Sequence, residues 1–508
     1  MNITNALIEK YGICILADAY KPSHPVQYPE NTTEVCTYLE ARKNMMLGKN
    51  NPDLPIIFFG MQITMDQYFT KPLTMEQVEN SKVFWDNVGM TTFPYELFKV
   101  VVTEMGGKLP LEIRCLPEGT VANVHTALYT IKNTDPRFFW LPAYVETIIQ
   151  QNTWYPTTVA SLSWTVKLIQ RQFLDDSSDL PVESLYYKLN DFGFRGVTCL
   201  EQAMIGGLAN SINYIASDTS VANILADEVY NCERSIGDVA THGIPAMEHM
   251  TSTAWGKDNE VEAIRNFIET FCCDGGMGSV IADTYNVYDF IKDIIGGELK
   301  DLILTKVKES GGCVIVRPDS GDPTIVPIEL LTMLEEVFGV EINSKGYKVL
   351  PSFIRVIQGD GMNIQSIKSL YDNMRETKWS IDNICIGMGG GLLQQVSRDT
   401  LSIAQKGSQI TVNGESYGIS KDPVTDPGKK SQEGEFDVVE VCGKLVTVNR
   451  SSTDLLNDGL LRLIYLDGDV LDYRNFKHIR ERAAEGIERE FAKYQRTLAL
   501  KAKLGTTQ

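Results

Sequence analysis

The sequence predicts an α/β protein, with an irregular β/α barrel in the middle of the chain and an α+β domain built from both chain ends. Three observations lead there. Between about Ser279 and Ile386, short apolar runs each end abruptly in a polar or glycine-rich cluster. Helix-patterned segments separate those runs, so strand and helix alternate over roughly 30 to 40 residues, the rhythm of parallel β/α architecture. On either side the rhythm is different, and neither end makes a complete domain alone.

Taken in order, Ile13 to Ala17 and Leu111 to Leu116 predict strands, Met75 to Val88 predicts a helix, and the polar piece from Asn44 to Leu54 predicts a loop. In the middle, Ser279 to Ala282 leads to Asp283, and Gly312 to Val316 leads to Arg317-Pro318-Asp319-Ser320-Gly321-Asp322. Phe353 to Ile357 leads to Gln358-Gly359-Asp360-Gly361, and Ile384 to Ile386 leads to Gly387-Met388-Gly389-Gly390-Gly391. Tyr285 to Ile294, Pro327 to Phe338 and Ile364 to Glu376 are the helices between them. An open sheet shares this alternation, but a barrel gathers its strand-end loops into one active site, which suits clusters that are all polar.

From about Ser402 the pattern turns to short strands. Gln409 to Val412 precedes Asn413-Gly414, a strong hairpin turn, and Phe436 to Glu440 pairs with Lys444 to Asn449 around Cys442-Gly443. Phe476 to Leu498 is a charged helix. The expected division is therefore an amino-terminal part over 1–158, a barrel-like catalytic domain over 159–400, a β-rich segment over 401–483 packing with the amino-terminal part, and a helical extension over 484–508.

A chain of 508 residues is too long for one simple core. Its formal charge of -19 repels phosphate backbones, which argues against nucleic acid and anionic membranes as partners. A phosphorylated ligand must then be held by a local basic pocket. The ten cysteines form no CxxC pair and sit mostly in apolar runs, as reduced thiols do. No signal-like amino terminus and no bilayer-length apolar run is present, so the expected compartment is the cytoplasm.

Several strand-end residues are suited to chemistry. Arg317 can clamp a diphosphate while Asp319 accepts hydrogen bonds from ribose hydroxyls or holds Mg²⁺, although a tight turn with a surface ion pair has the same sequence. Gly387-x-Gly389-Gly390-Gly391 lets backbone amides approach an anion; it matches neither a Walker loop nor the dinucleotide fingerprint, and a plain flexible turn is the alternative. The nearby bases Arg398, Lys406, Lys421 and Lys429 favour the anion. Gly359-Asp360-Gly361 repeats the logic of a carboxylate beside open space. Glu248-His249 offers an imidazole that can be acid, base, anion ligand or nucleophile. Around Phe192 and Arg195, rings and a cation suit a flat heteroaromatic, and Asp218 can accept a hydrogen bond from a carboxamide while repelling a carboxylate.

Together the motifs resemble the nicotinate/nicotinamide phosphoribosyltransferase family, in its nicotinamide-using form, across essentially the whole chain. The matching runs include Asp18-x-Tyr20-Lys21-x-x-His24, Trp154-Tyr155-Pro156, Asp191-Phe192-Gly193-x-Arg195-Gly196, Glu248-His249, Thr253-Ala254-Trp255-Gly256, Arg317-Pro318-Asp319-Ser320-Gly321, Gln358-Gly359-Asp360-Gly361 and Lys421-Asp422-Pro423. The resemblance implies a type II phosphoribosyltransferase barrel acting on nicotinamide and 5-phosphoribosyl 1-pyrophosphate, with Mg²⁺ as cofactor and ATP as co-substrate. It implies a homodimer with active sites at the subunit interface, where Phe192 and Tyr20 from opposite subunits sandwich the ring and Asp218 takes the amide. Arg195, His249 and Arg317 would bind the diphosphate; Asp319, Gly359, Asp360, Gly389, Gly390 and Arg398 the phosphoribosyl group; Arg42, Lys406, Lys421 and Lys429 further phosphate. His249, Arg317 and Asp319 would be the catalytic set, with His249 phosphorylated at the expense of ATP. No fixed protein site for the metal is implied. Asn190 and Ala404 depart from the vertebrate pattern, which has histidine and serine there.

Overall fold

A computed structural model of the chain describes residues 3–48, 54–230, 232, 239–450, 459–471 and 475–503. In chain order its main strands are β1 (Thr32–Glu40), β2 (Leu111–Cys115), β3 (Tyr129–Asn133), β4 (Leu189–Asp191), β5 (Met277–Ile281), β6 (Cys313–Arg317) and β7 (Ile354–Gln358). There follow β8 (Ile384–Met388), β9 (Ala404–Val412), β10 (Glu415–Gly418), β11 (Phe436–Val441), β12 (Lys444–Asn449), β13 (Arg462–Leu466) and β14 (Asp469–Val470). The chain forms two compact units. The first comprises Met1–Ser161, Glu228–Asn231 and Ser397–Ala483; the second comprises Leu162–Asp227, Cys232–Val396 and Ala484–Gln508.

The first unit is built on a seven-stranded sheet in the order β10-β9-β1-β3-β2-β13-β14. Its pairings are antiparallel, and β1 lies between β9 and β3. In β2 and β3 buried and half-buried residues alternate, as a strand with one face on a core requires. Asn413 and Gly414, at φ 52° and 81°, make the tight turn between β9 and β10, where glycine and asparagine tolerate the left-handed backbone. The run Ile13 to Ala17, expected to be a strand, is instead a 3₁₀ turn over Gly12–Ile15. Gly12 enters it at φ 57°, and the carbonyl of Cys14 accepts from Trp85 Nε1 at 3.0 Å and Tyr144 Oη at 2.5 Å. Side chains thus satisfy a backbone group that a ladder would otherwise need.

The second unit holds a five-stranded parallel sheet in the order β4-β8-β7-β6-β5. Single parallel bridges, Asp191 with Ser217, Ala216 with His242 and Ala246 with Ser279, carry the pairing onward from β4 back to β5. The result is an irregular β/α barrel. Val314, Val316, Ile354, Val356, Ile384 and Ile386 are fully buried, and Cys313, Ile315 and Ile357 between them are buried too, which is why these strands read as largely apolar runs, broken only by half-buried Arg355. Helices Val326–Phe338 and Ile364–Glu376 connect them, the second started by Asn363, whose side chain accepts from the amides of Gln365 and Ser366.

Buried Lys188, just before β4, fixes the start of β8. Its ammonium donates to the carbonyls of Ile381 at 2.8 Å, Asp382 at 3.3 Å and Ile384 at 3.2 Å. Burial pushes its pKa down, so the bonds offset a desolvation cost. The register that follows sets Asp191 opposite Met388. Because the strands are parallel, the residues after each of them come out on one rim.

Candidate active site

That rim surrounds a cavity of about 1090 Å³. The walls come from the carboxyl ends of the strands: Phe192 and Arg195 from the loop after β4, Asp218 after the bridge at Ser217, Arg317 at the end of β6 and Asp319 beyond it, Gly359 and Asp360 after β7, Gly389 and Gly390 after β8. Glu248 and His249 complete it from the start of a short helix, His249–Thr253.

The Phe192 amide donates to the carbonyl of Met388 at 3.1 Å, tying the loop after β4 to the end of β8. Its ring rests on Cys313, Ile315 and Ile357, beside Cys385, inside the barrel. A Cβ at Gly387 would stand 2.1 Å from this ring, and one at Gly359 2.8 Å. The open space beside Asp360 is therefore partly filled by the protein's own aromatic ring. Gly389 and Gly391 are close-packed for a similar reason, against the carbonyls of Phe192 and Met362. Gly390 stands more openly at the cavity.

Charge in the cavity is divided. Arg317 donates to the carbonyl of Met247 at 2.8 Å, while its Nε is buried with no hydrogen-bond partner among the described residues. A buried guanidinium N–H without an acceptor favours an anionic ligand. Burial raises the pKa of Asp218, against the opposing pull of Arg317 and then Arg195. His249 Nε2 lies 3.8 Å from Asp283 Oδ1 and 3.7 Å from Asp319 Oδ2. Asp283 also accepts from the hydroxyl of Ser320.

The profile described as the nicotinate phosphoribosyltransferase (NAPRTase) family matches residues 187–488, which contain this whole rim. The chain belongs to that family. A second profile, the nicotinamide phosphoribosyltransferase N-terminal domain, matches residues 12–113. A curated relative from Xanthomonas campestris pv. campestris (strain 8004), named nicotinamide phosphoribosyltransferase, is 40% identical over 84% of this chain and 87% of its own length. Another of that name, from Acinetobacter baylyi, is 26% identical over 93% of this chain and 97% of its own. Two solved structures share the fold. Nicotinate-nucleotide pyrophosphorylase from Pyrococcus furiosus superposes with a TM-score of 0.56 at 14% identity, covering 94% of this chain and 96% of that one. Human nicotinic acid phosphoribosyltransferase gives 0.55 at 14%, covering 94% of each chain. Membership in the family makes the protein a phosphoribosyltransferase, a pentosyl-transferring enzyme.

On this family frame, the sequence-selected residues fall into two groups. Phe192, Arg195, Asp218, His249, Arg317, Asp319, Gly359, Asp360, Gly389 and Gly390 all line the one cavity. Tyr20, Arg42, Arg398, Lys406, Lys421 and Lys429 lie in the first unit. There burial lowers the pKa of Lys406, and the charges of Arg42, Lys421 and Arg398 lower it further, which places four cations near one another. Lys429 stands on the surface in an ion pair with Asp426 at 3.1 Å. Tyr20 is 58% exposed, its ring set edge-on to His24.

Sequence reasoning assigned no role to Asp283 or Asp191. Asp283 follows β5 as Asp319 follows β6, so its place at a strand end was the available signal. Asp191 opens the run Asp191-Phe192-Gly193, but a carboxylate at the last position of a buried strand carries no pattern that says what it bonds. Among the described residues no three His, Cys, Asp or Glu side chains form a metal-binding group, and no helix is long and apolar enough to cross a membrane.

Proposed function

We propose that this family member is a nicotinamide phosphoribosyltransferase of NAD salvage, converting nicotinamide and 5-phosphoribosyl 1-pyrophosphate to nicotinamide mononucleotide and pyrophosphate. The observation that carries the reading is Asp218, an acceptor sharing the cavity of Phe192 with Arg195 and Arg317. A carboxylate there suits an uncharged amide donor and repels nicotinate. The names of the Xanthomonas and Acinetobacter relatives support the same substrate.

The pyridine nitrogen attacks C1 of the sugar as the bond to pyrophosphate breaks. Its lone pair is already nucleophilic, so no general base is needed; orientation and stabilisation of the leaving charge dominate. Phe192 stacks on the ring, and a pyridinium product gains cation–π attraction. Arg195, His249 and Arg317 meet the diphosphate, while Asp319, Asp360 and the amides around Gly359, Gly389 and Gly390 hold the phosphoribosyl group. Mg²⁺, when bound, would neutralise charge on the diphosphate, and Asp319 and Asp283, both beside His249, are carboxylates that would help to hold it.

His249 attacks the γ-phosphorus of ATP, ADP leaves, and water later hydrolyses the phosphohistidine. The neighbouring carboxylates Asp283 and Asp319 orient the imidazole for that step. The protein acts as a homodimer in which Tyr20 and Arg398 of one subunit complete the cavity of the other, and the cations Arg42, Lys406, Lys421 and Lys429 serve the phosphoribosyl or nucleotide site. The buried thiols Cys14, Cys36, Cys115, Cys272 and Cys313, none of them in a disulfide, fit a cytoplasmic enzyme.

The test is purified protein with 5-phosphoribosyl 1-pyrophosphate and Mg²⁺, given nicotinamide or nicotinate, with and without ATP. Mononucleotide from nicotinamide, with ATP raising the yield, is the expected result. Preference for nicotinate would overturn the reading.

A further inference from the structure

One buried acid on the rim has no part in the chemistry above, yet both groups that grip the pyridine depend on it. Asp191 is fully buried at the last position of β4. Its Oδ1 accepts from the amide of Gly193 at 2.7 Å, which fixes the turn carrying the Phe192 ring. Its main-chain carbonyl accepts from the amide of Asp218 at 2.9 Å. Its own amide donates to the carbonyl of Ala216 at 3.4 Å. The other carboxyl oxygen, Oδ2, and the hydroxyl of Thr219, one residue beyond Asp218, are both buried without a hydrogen-bond partner among the described residues.

We propose that Asp191 is a positioning residue for the pyridine site, its carboxyl setting Phe192 and its carbonyl setting Asp218, so that ring and amide are held in one fixed relation. The proposal rests on the reading of Phe192 and Asp218 as the pyridine-binding pair. It follows from geometry: a single residue bonds to both loops, and its carboxyl adds a second tie, at Gly193, to the main-chain bond that joins Phe192 to Met388. A misplacement of about 1 Å in such a pair is enough to lower the rate about a hundredfold.

The carboxyl also gives the device a pH signature. Burial raises its pKa to about 7, opposed by the bond from Gly193 and the nearby Thr219 hydroxyl and aided by the charge of Asp218. The neighbouring strand β8 presents Ile386, Gly387 and Met388 in register, none of them titratable, and Arg317 and Arg195 act on Asp218. The ionised carboxylate makes the stronger bond to the Gly193 amide. Grip on the pyridine therefore tightens as pH rises through neutrality.

The test is steady-state kinetics from pH 6 to pH 8, using whichever pyridine the wild-type enzyme turns over. In wild type, KM for the pyridine falls as pH rises, while KM for 5-phosphoribosyl 1-pyrophosphate follows its own course. Asp191→Asn, which keeps an acceptor for Gly193 but no charge, should flatten the pyridine KM profile and raise KM about tenfold at pH 8. Thr219→Val removes a neighbouring hydroxyl that favours the ionised form, so the inflection should move to higher pH with the fold untouched. This second variant decides the matter if Asp191→Asn does not fold. Unchanged pyridine KM profiles in the folded variants would overturn the proposal, as would an equal loss for both substrates. A wild-type enzyme that uses only nicotinate would instead overturn the substrate reading, leaving the role of Asp191 to be judged on nicotinate.

Discussion

The ring of Phe192 takes the room that a side chain at Gly387 would need, with a separation of 2.1 Å between its Cε2 and a Cβ built there. Two neighbouring strands, β4 and β8, thereby share one volume at the mouth of the barrel. Gly387→Ala should push the ring out of the barrel mouth, since overpacking costs about 1–3 kcal/mol when it must displace a side chain. The expected outcome is a pyridine KM raised about tenfold or more, with a modest fall in melting temperature. Kinetics with both substrates, beside a thermal melt, checks it.

Arg317 has one bond to the protein and a buried N–H without one. Arg317→Ala should therefore cost little stability, on the order of 1 kcal/mol, and much turnover. Loss of one preorganised charge-stabilising donor lowers kcat about 10²- to 10³-fold. Steady-state kinetics with a circular dichroism melt separates the two effects. Unchanged turnover would remove Arg317 from the leaving-group site.

His249 lies between Asp283 and Asp319, close enough for either carboxylate to orient it. His249→Ala should abolish the gain from ATP while sparing more of the basal synthesis. Asp283→Asn should weaken the same gain in part. The measurement is acid-labile phosphate on the protein after incubation with ATP, alongside product yield. Absence of such phosphate in active wild-type protein would end the phosphohistidine reading.

Stability should depend on pH through Asp191. Its folded pKa, about 7, lies above the ordinary 3.8, so the native state binds the proton more tightly than the unfolded chain. The stability is fully present below the ordinary value and is lost as pH rises toward 7, at up to about 1.4 kcal/mol per pH unit, then levels off. Asp191→Asn should show a shallower slope in that window. Urea unfolding of both proteins at pH 5, 6 and 8 measures the difference.

Much of the second unit could be read directly. β5 to β8 and the helices after β6 and β7 fall where apolar runs and helical spacing put them, because strands buried on both faces leave largely hydrophobic segments. The residues chosen after those strands are the ones lining the cavity. Ile13 to Ala17 went the other way: a short apolar run does not say whether it pairs in a sheet or coils against a core. Trp85 and Tyr144, distant in sequence, decide that by bonding the carbonyl of Cys14. The glycines of the rim were read for ligand space, whereas Gly359 and Gly387 give room to Phe192, a neighbour that only folding brings there.

By itself the sequence determined the parallel β/α rhythm, the polar residues at the strand ends and the family, because periodicity and local motifs are written in consecutive residues. Tertiary structure decided the rest: the pairing of β1 with β9, the bridges that carry the barrel from Ser217 round to Ser279, and the link from Asp191 to both Gly193 and Asp218. Each of these depends on hydrogen bonds between residues that are distant in sequence or on the burial of a single group. Neither leaves a local pattern in the chain.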